Sequence, residues 1–281
     1  MSLSVFILVV MSAMLHASWN FVTKKISGSL GTLCIGLCFA SLLTLPFAVY
    51  FVVSEGIPLY AVPYMVATGI IHAFYFYYIG KSYEFGDISI VYPISRGIGV
   101  AGTGIVAAML LKEAISVTGC VGILLVFSGA VIIGSHRAHG GTSRKSVLYA
   151  LMVGLTIIGY SCLDKVGVGY FNPVPYICGM ITIAAVVLTS FVIMRHRDNI
   201  VQSWKKEKTY GMAIGTGSVA TYLFILFAFR LGPVSYIVAS REISIAIGAV
   251  LGFIFLHERI TVRKIVGISA ITAGLILVKI A

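Results

Sequence analysis

The chain has 281 residues, of which 59% are hydrophobic and only 10% charged, with a mean hydropathy of +1.04. Soluble domains carry about 25% charged residues, so this composition excludes a water-soluble globular protein and makes lipid the main solvent. The net charge of +11 is spread over short loops between apolar runs. That excludes a basic nucleic-acid-binding domain and fits the topogenic, headgroup-contacting charge of a membrane protein.

A hydrocarbon core of about 30 Å takes about 20 apolar residues per helix. Ten such runs can be marked, at 3–22, 31–53, 60–80, 88–110, 117–134, 147–164, 174–194, 209–229, 233–255 and 262–280. They lack the alternation of barrel strands, so each is expected to be a helix that satisfies its own backbone. The first run has neither a basic n-region nor a small-residue cleavage site and reads as a retained helix. It carries Ser12, His16, Asn20 and Thr23 as one polar stripe, with Trp19 beside it. The third places Thr68, His72 and Tyr75 on one face, and Tyr77 and Tyr78 near its end suit interfacial anchors. In the fourth, "VYPISRGIG" (91–99) puts an arginine into a membrane span; Ser89, Tyr92, Arg96 and Thr103 share a face there. Pro93 frees a carbonyl one turn before Arg96. Asp164-Lys165 is expected to close the sixth run, with the lysine snorkelling to the interface.

The two longest loops, 135–146 and 195–208, are too short to be domains. Gly211–Gly215 and Gly248–Gly252 have the spacing of close helix packing. In the ninth run "VASREISIAIG" (238–248) sets Arg241 beside Glu242. Ser240 and Ser244 share one face, and Arg241, Ser244, Gly248 and Gly252 form the adjoining one. Glu242 projects about 100° away from Arg241, so the two need not pair. Cys34, Cys38, Cys120, Cys162 and Cys178 all lie in apolar runs and read as small buried residues rather than metal or redox groups. "GIGVAGTG" (97–104) has the letters of a dinucleotide fingerprint but no preceding strand, so no cofactor is expected.

Residues 95–134 align with 240–279 without a gap. Ser95-Arg96 meets Ser240-Arg241, Glu113 meets Glu258, Gly122 meets Gly267, and Gly129 meets Gly274. An odd number of helices per copy sends the second copy into the membrane in the opposite sense. The expected fold is therefore an all-α polytopic membrane protein with ten transmembrane helices as two inverted five-helix repeats. The first repeat takes 1–134, the connecting loop 135–146 and the second repeat 147–281. Inverted repeats belong to secondary transporters, with a site near the midplane between the copies.

The two copies, with "LKEAI…GILLVFSGAVI" and "LHERI…GISAITAGLIL", resemble the EamA branch of the drug/metabolite transporter superfamily. The opening "HASWNFVTKK" and the length are similar to a subgroup of permeases associated with phosphonate utilisation. The resemblance implies a carrier fold over nearly the whole chain. It leaves the substrate open among amino acids, amphipathic toxins, sugars and phosphorylated metabolites, and it implies cytoplasmic termini. The charge count favours the other orientation. Apart from Arg96 and Arg241, the side holding both termini has Lys112, Lys165, Arg230 and Lys279, against fourteen basic residues opposite. By the positive-inside rule the termini face out of a cytoplasmic membrane.

A charge at the bilayer centre costs at least about 2.5–3.5 kcal/mol and normally faces a bundle interior. Arg96 lies about 12 Å along its helix, and Arg241 equally deep from the other face, so the pair straddles the midplane about 10 Å apart. One reading makes them buried ion-paired staples, Arg241 with Glu242 of a neighbouring contact and Arg96 with a carbonyl. The other makes them forks for a carboxylate, phosphate or phosphonate. On the second reading the substrate-binding candidates are Arg96, Arg241, Glu242, His16, Trp19, Asn20, His72, Tyr75, Tyr92, Ser240 and Ser244. The expected function is secondary transport of a small anionic or zwitterionic metabolite by alternating access, with lipid and a coupling proton or ion as further partners. The alternatives are an exporter of amphipathic or cationic compounds and a non-transporting membrane scaffold. An intramembrane enzyme finds no HExxH, GxSxG or paired aspartates.

Overall fold

A computed structural model describes residues 2–85, 88–134, 144–247 and 261–281. The helices are α1 (Leu3–Lys25), α2 (Leu30–Glu55), α3 (Val62–Phe85), α4 (Ile88–Leu110), α5 (Val117–Gly134), α6 (Arg144–Tyr170), α7 (Pro173–Leu231), α8 (Val234–Ser240) and α9 (Val262–Ile280). Several starts follow from local chemistry. The side chains of Ser29, Asn172 and Thr261 accept hydrogen bonds from the amides of Thr32, Val174 and Lys264, and Pro173 opens α7.

A straight α7 of 59 residues would be about 88 Å long. Yet Tyr176 and Tyr222, near its two ends, donate to one carboxyl, that of Asp164. The chain must double back. Contacts along α2 confirm it: Cys38 meets Thr189 and Ser41 meets Thr182, whereas Ser29 meets Ser203 and Thr32 meets Glu207. The first leg therefore runs antiparallel to α2 and the second parallel to it. The two apolar runs expected at 174–194 and 209–229 are these legs. The turn expected as a loop, 195–208, is helical, because "RHRDNIVQSWKKEK" contains no glycine or proline to stop the helix.

Two further boundaries differ from expectation. The sixth helix continues past Asp164 to Tyr170, which takes Asp164 off the helix end and into the interior. The ninth run is broken rather than continuous. After α8 the backbone tightens to i−3 bonds, Glu242 N–H to the Ala239 carbonyl and Ser244 N–H to that of Arg241, before residues 243–247 resume a helix. Such discontinuities mark functional positions in membrane helices. Gly248, Gly252 and Glu258 lie outside the described residues.

The fold is a polytopic, inverted-repeat helical membrane protein. Leu42, Phe47, Met109 and Val53 point outward, while His16, Thr68, Arg96, Asp164 and Glu242 are buried. This places apolar side chains toward lipid and polar ones inside. α5 and α9 meet through the repeat-related glycines in reciprocal fashion. A Cβ on Gly122 would lie 2.8 Å from the Gly274 carbonyl oxygen, and one on Gly129 would lie 2.6 Å from that of Gly267. Reciprocal contact of like residues is the signature of a two-fold relation. The Gly211 spacing also serves packing: a Cβ on Gly36 of α2 would lie 2.8 Å from the Gly211 carbonyl oxygen.

Candidate functional site

α1, α3, α4, α6, both legs of α7 and the break after α8 converge on a buried polar centre. The stripe on α1 is buried in full: Ser12, His16, Asn20 and Thr23 all face inward. Two of its members are used within the helix. Asn20 donates to the His16 carbonyl and accepts from Tyr83, and Thr23 donates to the Trp19 carbonyl. His16 reaches Arg241, and Trp19 lines the cavity beside it.

The two arginines have different partners. Arg96 forms a two-point contact with Glu242, Nη2 to Oε1 at 2.6 Å and Nε to Oε2 at 3.2 Å, with both side chains buried. Glu242 thus neutralises the arginine of the other repeat rather than its neighbour. The break in the helix sets its direction, which a continuous helical wheel does not give. Arg241 instead sends Nη2 to Nδ1 of His16 at 3.3 Å and lies over the Tyr222 ring, 5.7 Å from its centroid. Donation to Nδ1 requires the neutral imidazole with its proton on Nε2. The Nε of Arg241 is buried and has no hydrogen-bond partner among the described residues.

A cavity of about 30 Å³ opens at Arg241. Trp19, Tyr75, Phe76, Tyr160 and Tyr222 supply an aromatic wall, with His72 among them and Ser218 and Thr221 as hydroxyls. His72 stacks on Tyr160 at 4.3 Å and meets Tyr222 edge-on at 5.0 Å. Its Nδ1 lies 2.9 Å from the Thr68 carbonyl oxygen, which fixes the ring. Trp19 Nε1 and Thr221 Oγ1 join Arg241 Nε as buried donors without partners among the described residues. Three such donors on residues that line one cavity suit an acceptor-rich guest. The cavity's volume is small against the several hundred Å³ of a metabolite site, so a larger guest requires the cavity to open.

Of the remaining candidates, Ser240 and Ser244 are buried beside the helix break, and the Ser240 hydroxyl has no partner among the described residues. The Tyr92 side chain lies outside the described residues. Three groups of consequence escaped the sequence reading. Asp164 is fully buried beneath the cavity on the Tyr176 and Tyr222 hydroxyls. Lys165 does not snorkel: its ammonium donates to the Gly232 and Phe229 carbonyls and closes the end of α7. Glu113 accepts from the amides of Val234 and Ser235 at 2.7 and 3.1 Å, capping α8. Lys112 adopts φ +53° next to it, a left-handed turn that directs the carboxylate there. Among the described residues no group of three His, Cys, Asp or Glu could hold a metal ion.

Buried charges, a broken helix and an aromatic cavity inside an apolar helical bundle are the features of a multi-pass membrane protein with a ligand site in its interior. A solved structure shares this fold with a TM-score of 0.73 over 99% of this chain and 98% of that one, at 12% identity. The chain belongs to the EamA-like transporter family, whose model matches residues 144–280. A protein of Lactiplantibacillus plantarum named for sugar uptake is 26% identical over 200 residues, 67% of this chain and 66% of that one. The multidrug resistance protein EbrB of Bacillus subtilis is 33% identical over 81 residues, 29% of this chain and 68% of its own length. The chain thus matches just under two thirds of the first relative.

Proposed function

We propose that this transporter carries a small anionic or zwitterionic metabolite, such as a phosphonate, organophosphate or amino acid, by alternating access of two halves. The halves are residues 1–134 and 147–281, joined by 135–146. The observation that carries the reading is Arg241: it lines the cavity, and its buried Nε has no hydrogen-bond partner among the described residues, while Glu242 takes up the charge of Arg96. One guanidinium, not two, is thus offered to the guest. The aromatic wall suits the apolar body of such a molecule. Opening of the cavity is the step that alternating access supplies.

A cationic cargo would meet the Arg241 guanidinium at the cavity, while Glu242 is engaged by Arg96 and Asp164 is held by the Tyr176 and Tyr222 hydroxyls. The positive-inside rule favours an orientation with both termini outside a cytoplasmic membrane and the basic loops against anionic headgroups within.

The test is ligand-induced thermal stabilisation of purified protein against phosphonates, phosphate esters, amino acids, neutral sugars and amphipathic cations. An anionic or zwitterionic compound raises the melting temperature of the wild type and not that of Arg241→Ala. Stabilisation by a sugar or a cation that Arg241→Ala leaves intact would overturn the reading.

A further inference from the structure

The most deeply buried carboxylate has no place in the anion site. Asp164 is fully buried on α6 and forms no ion pair among the described residues. The adjacent cation, Lys165, is turned away onto the carbonyls of Phe229 and Gly232. Among the described residues only hydroxyls hold the carboxyl. Tyr176 donates to Oδ1 at 2.8 Å from the first leg of α7, and Tyr222 donates to Oδ2 from the second. Thr68 of α3 lies against it too.

Hydroxyl partners can serve two protonation states. All donate to a carboxylate; when the carboxyl takes a proton from water, one O–H rotates and accepts instead. A lysine or arginine partner could not reverse in this way. The lipid-buried position makes the uncompensated charge costly, so charge here needs a purpose.

Tyr222 connects this carboxyl to the cavity. Its hydroxyl holds Asp164 and its ring lies under the Arg241 guanidinium, edge-on to His72 and Tyr160. An anion arriving at Arg241 repels a charged Asp164 through that short path. Uptake of one proton removes the repulsion, and by reciprocity the bound proton favours the anion. We propose that Asp164 binds the proton that travels with the substrate, Tyr222 being the link to Arg241. The proposal rests on the anion reading above for its coupling, though not for the proton site itself. The titratable groups facing Asp164 are Tyr160 and Cys162 on α6 and Tyr176 and Tyr222 on α7; His72 is one step away through Thr68 and Arg241 one step away over the Tyr222 ring, while Lys165 is turned away.

Infrared difference spectra of the full-length protein between pH 5 and 8 test the site without a ligand. The wild type shows a carboxylic-acid carbonyl band that Asp164→Asn removes. Tyr176→Phe keeps the band and moves its frequency, because one hydrogen-bond donor is gone. That variant also reads the site if Asp164→Asn does not fold. A spectrum with no band sensitive to either substitution overturns the proposal.

Coupling is then read with ethanesulfonate, which stays a monoanion over this range, added to weakly buffered protein with a pH dye. The wild type takes up one proton per anion bound, and Asp164→Asn binds the anion with no uptake. Equal uptake by both overturns the coupling. A wild type that shows the band but binds no anion supports the proton site and overturns the substrate reading instead.

Discussion

Breaking the Arg96–Glu242 pair gives the most quantitative prediction. The closest contact is 2.6 Å and both side chains are buried. At an effective dielectric of about 20 the gross attraction at that distance is about 6 kcal/mol. Desolvation opposes most of it, so the pair is a weak source of net stability. Removing one member is different, because it strands the other charge inside the bundle, at a cost of about 3–5 kcal/mol. Glu242→Gln and Arg96→Gln should each lower stability by about that amount. For a chain of this size that corresponds to roughly 6–10 °C in melting temperature, at about 2 °C per kcal/mol. The double substitution leaves no stranded charge and should recover most of the loss, giving a coupling energy of about 3 kcal/mol. Melting in detergent followed by tryptophan fluorescence, across all four proteins, measures it. Losses that add to within about 0.5 kcal/mol would refute the pairing and the helix break that directs Glu242 toward Arg96.

Three other outcomes are expected. Glu113→Gln keeps one acceptor where the α8 cap uses two oxygens, and Lys165→Met frees two carbonyls at the end of α7. Each should cost about 1–3 kcal/mol in the same melting assay, and an unchanged midpoint would contradict these caps. Gly129→Ala forces a methyl to within 2.6 Å of the Gly267 carbonyl oxygen. It should lower the melting temperature clearly, whereas a neutral effect would contradict the close α5–α9 approach. A cysteine at Ser2, in a background whose native cysteines are replaced, should react with a membrane-impermeant thiol reagent on intact cells. Protection there, with reaction only after lysis, would reverse the proposed orientation.

Much of the bundle was legible because lipid imposes a simple rule: a run of about 20 apolar residues makes a helix, and polar residues in it face inward. Arg96, Arg241, His16 and His72 stood out on that rule, and all four are buried. What the sequence hid was pairing and direction. Arg96 and Glu242 are 146 positions apart, and their contact depends on a backbone break that no glycine or proline announces. Asp164 was taken for a helix end because a lysine follows it. The helix runs on to Tyr170, with Gly167 and Val168 still buried, and the lysine bends back onto carbonyls rather than into the interface. Asn20 shows the converse. Its spacing put it on the stripe with His16, but its amide is used on the helix's own carbonyl.

Exchange across the membrane tests the central claim most directly, namely that Arg241 holds the anionic group of a carried substrate. Proteoliposomes are loaded with an unlabelled anionic or zwitterionic compound selected by thermal stabilisation, and entry of the labelled compound is followed. Exchange by the wild type is expected, with a loss of at least roughly tenfold in Arg241→Ala, the value of one charge-assisted hydrogen bond, and folding preserved. Exchange that Arg241→Ala leaves unchanged, or exchange confined to cationic compounds, would contradict that claim.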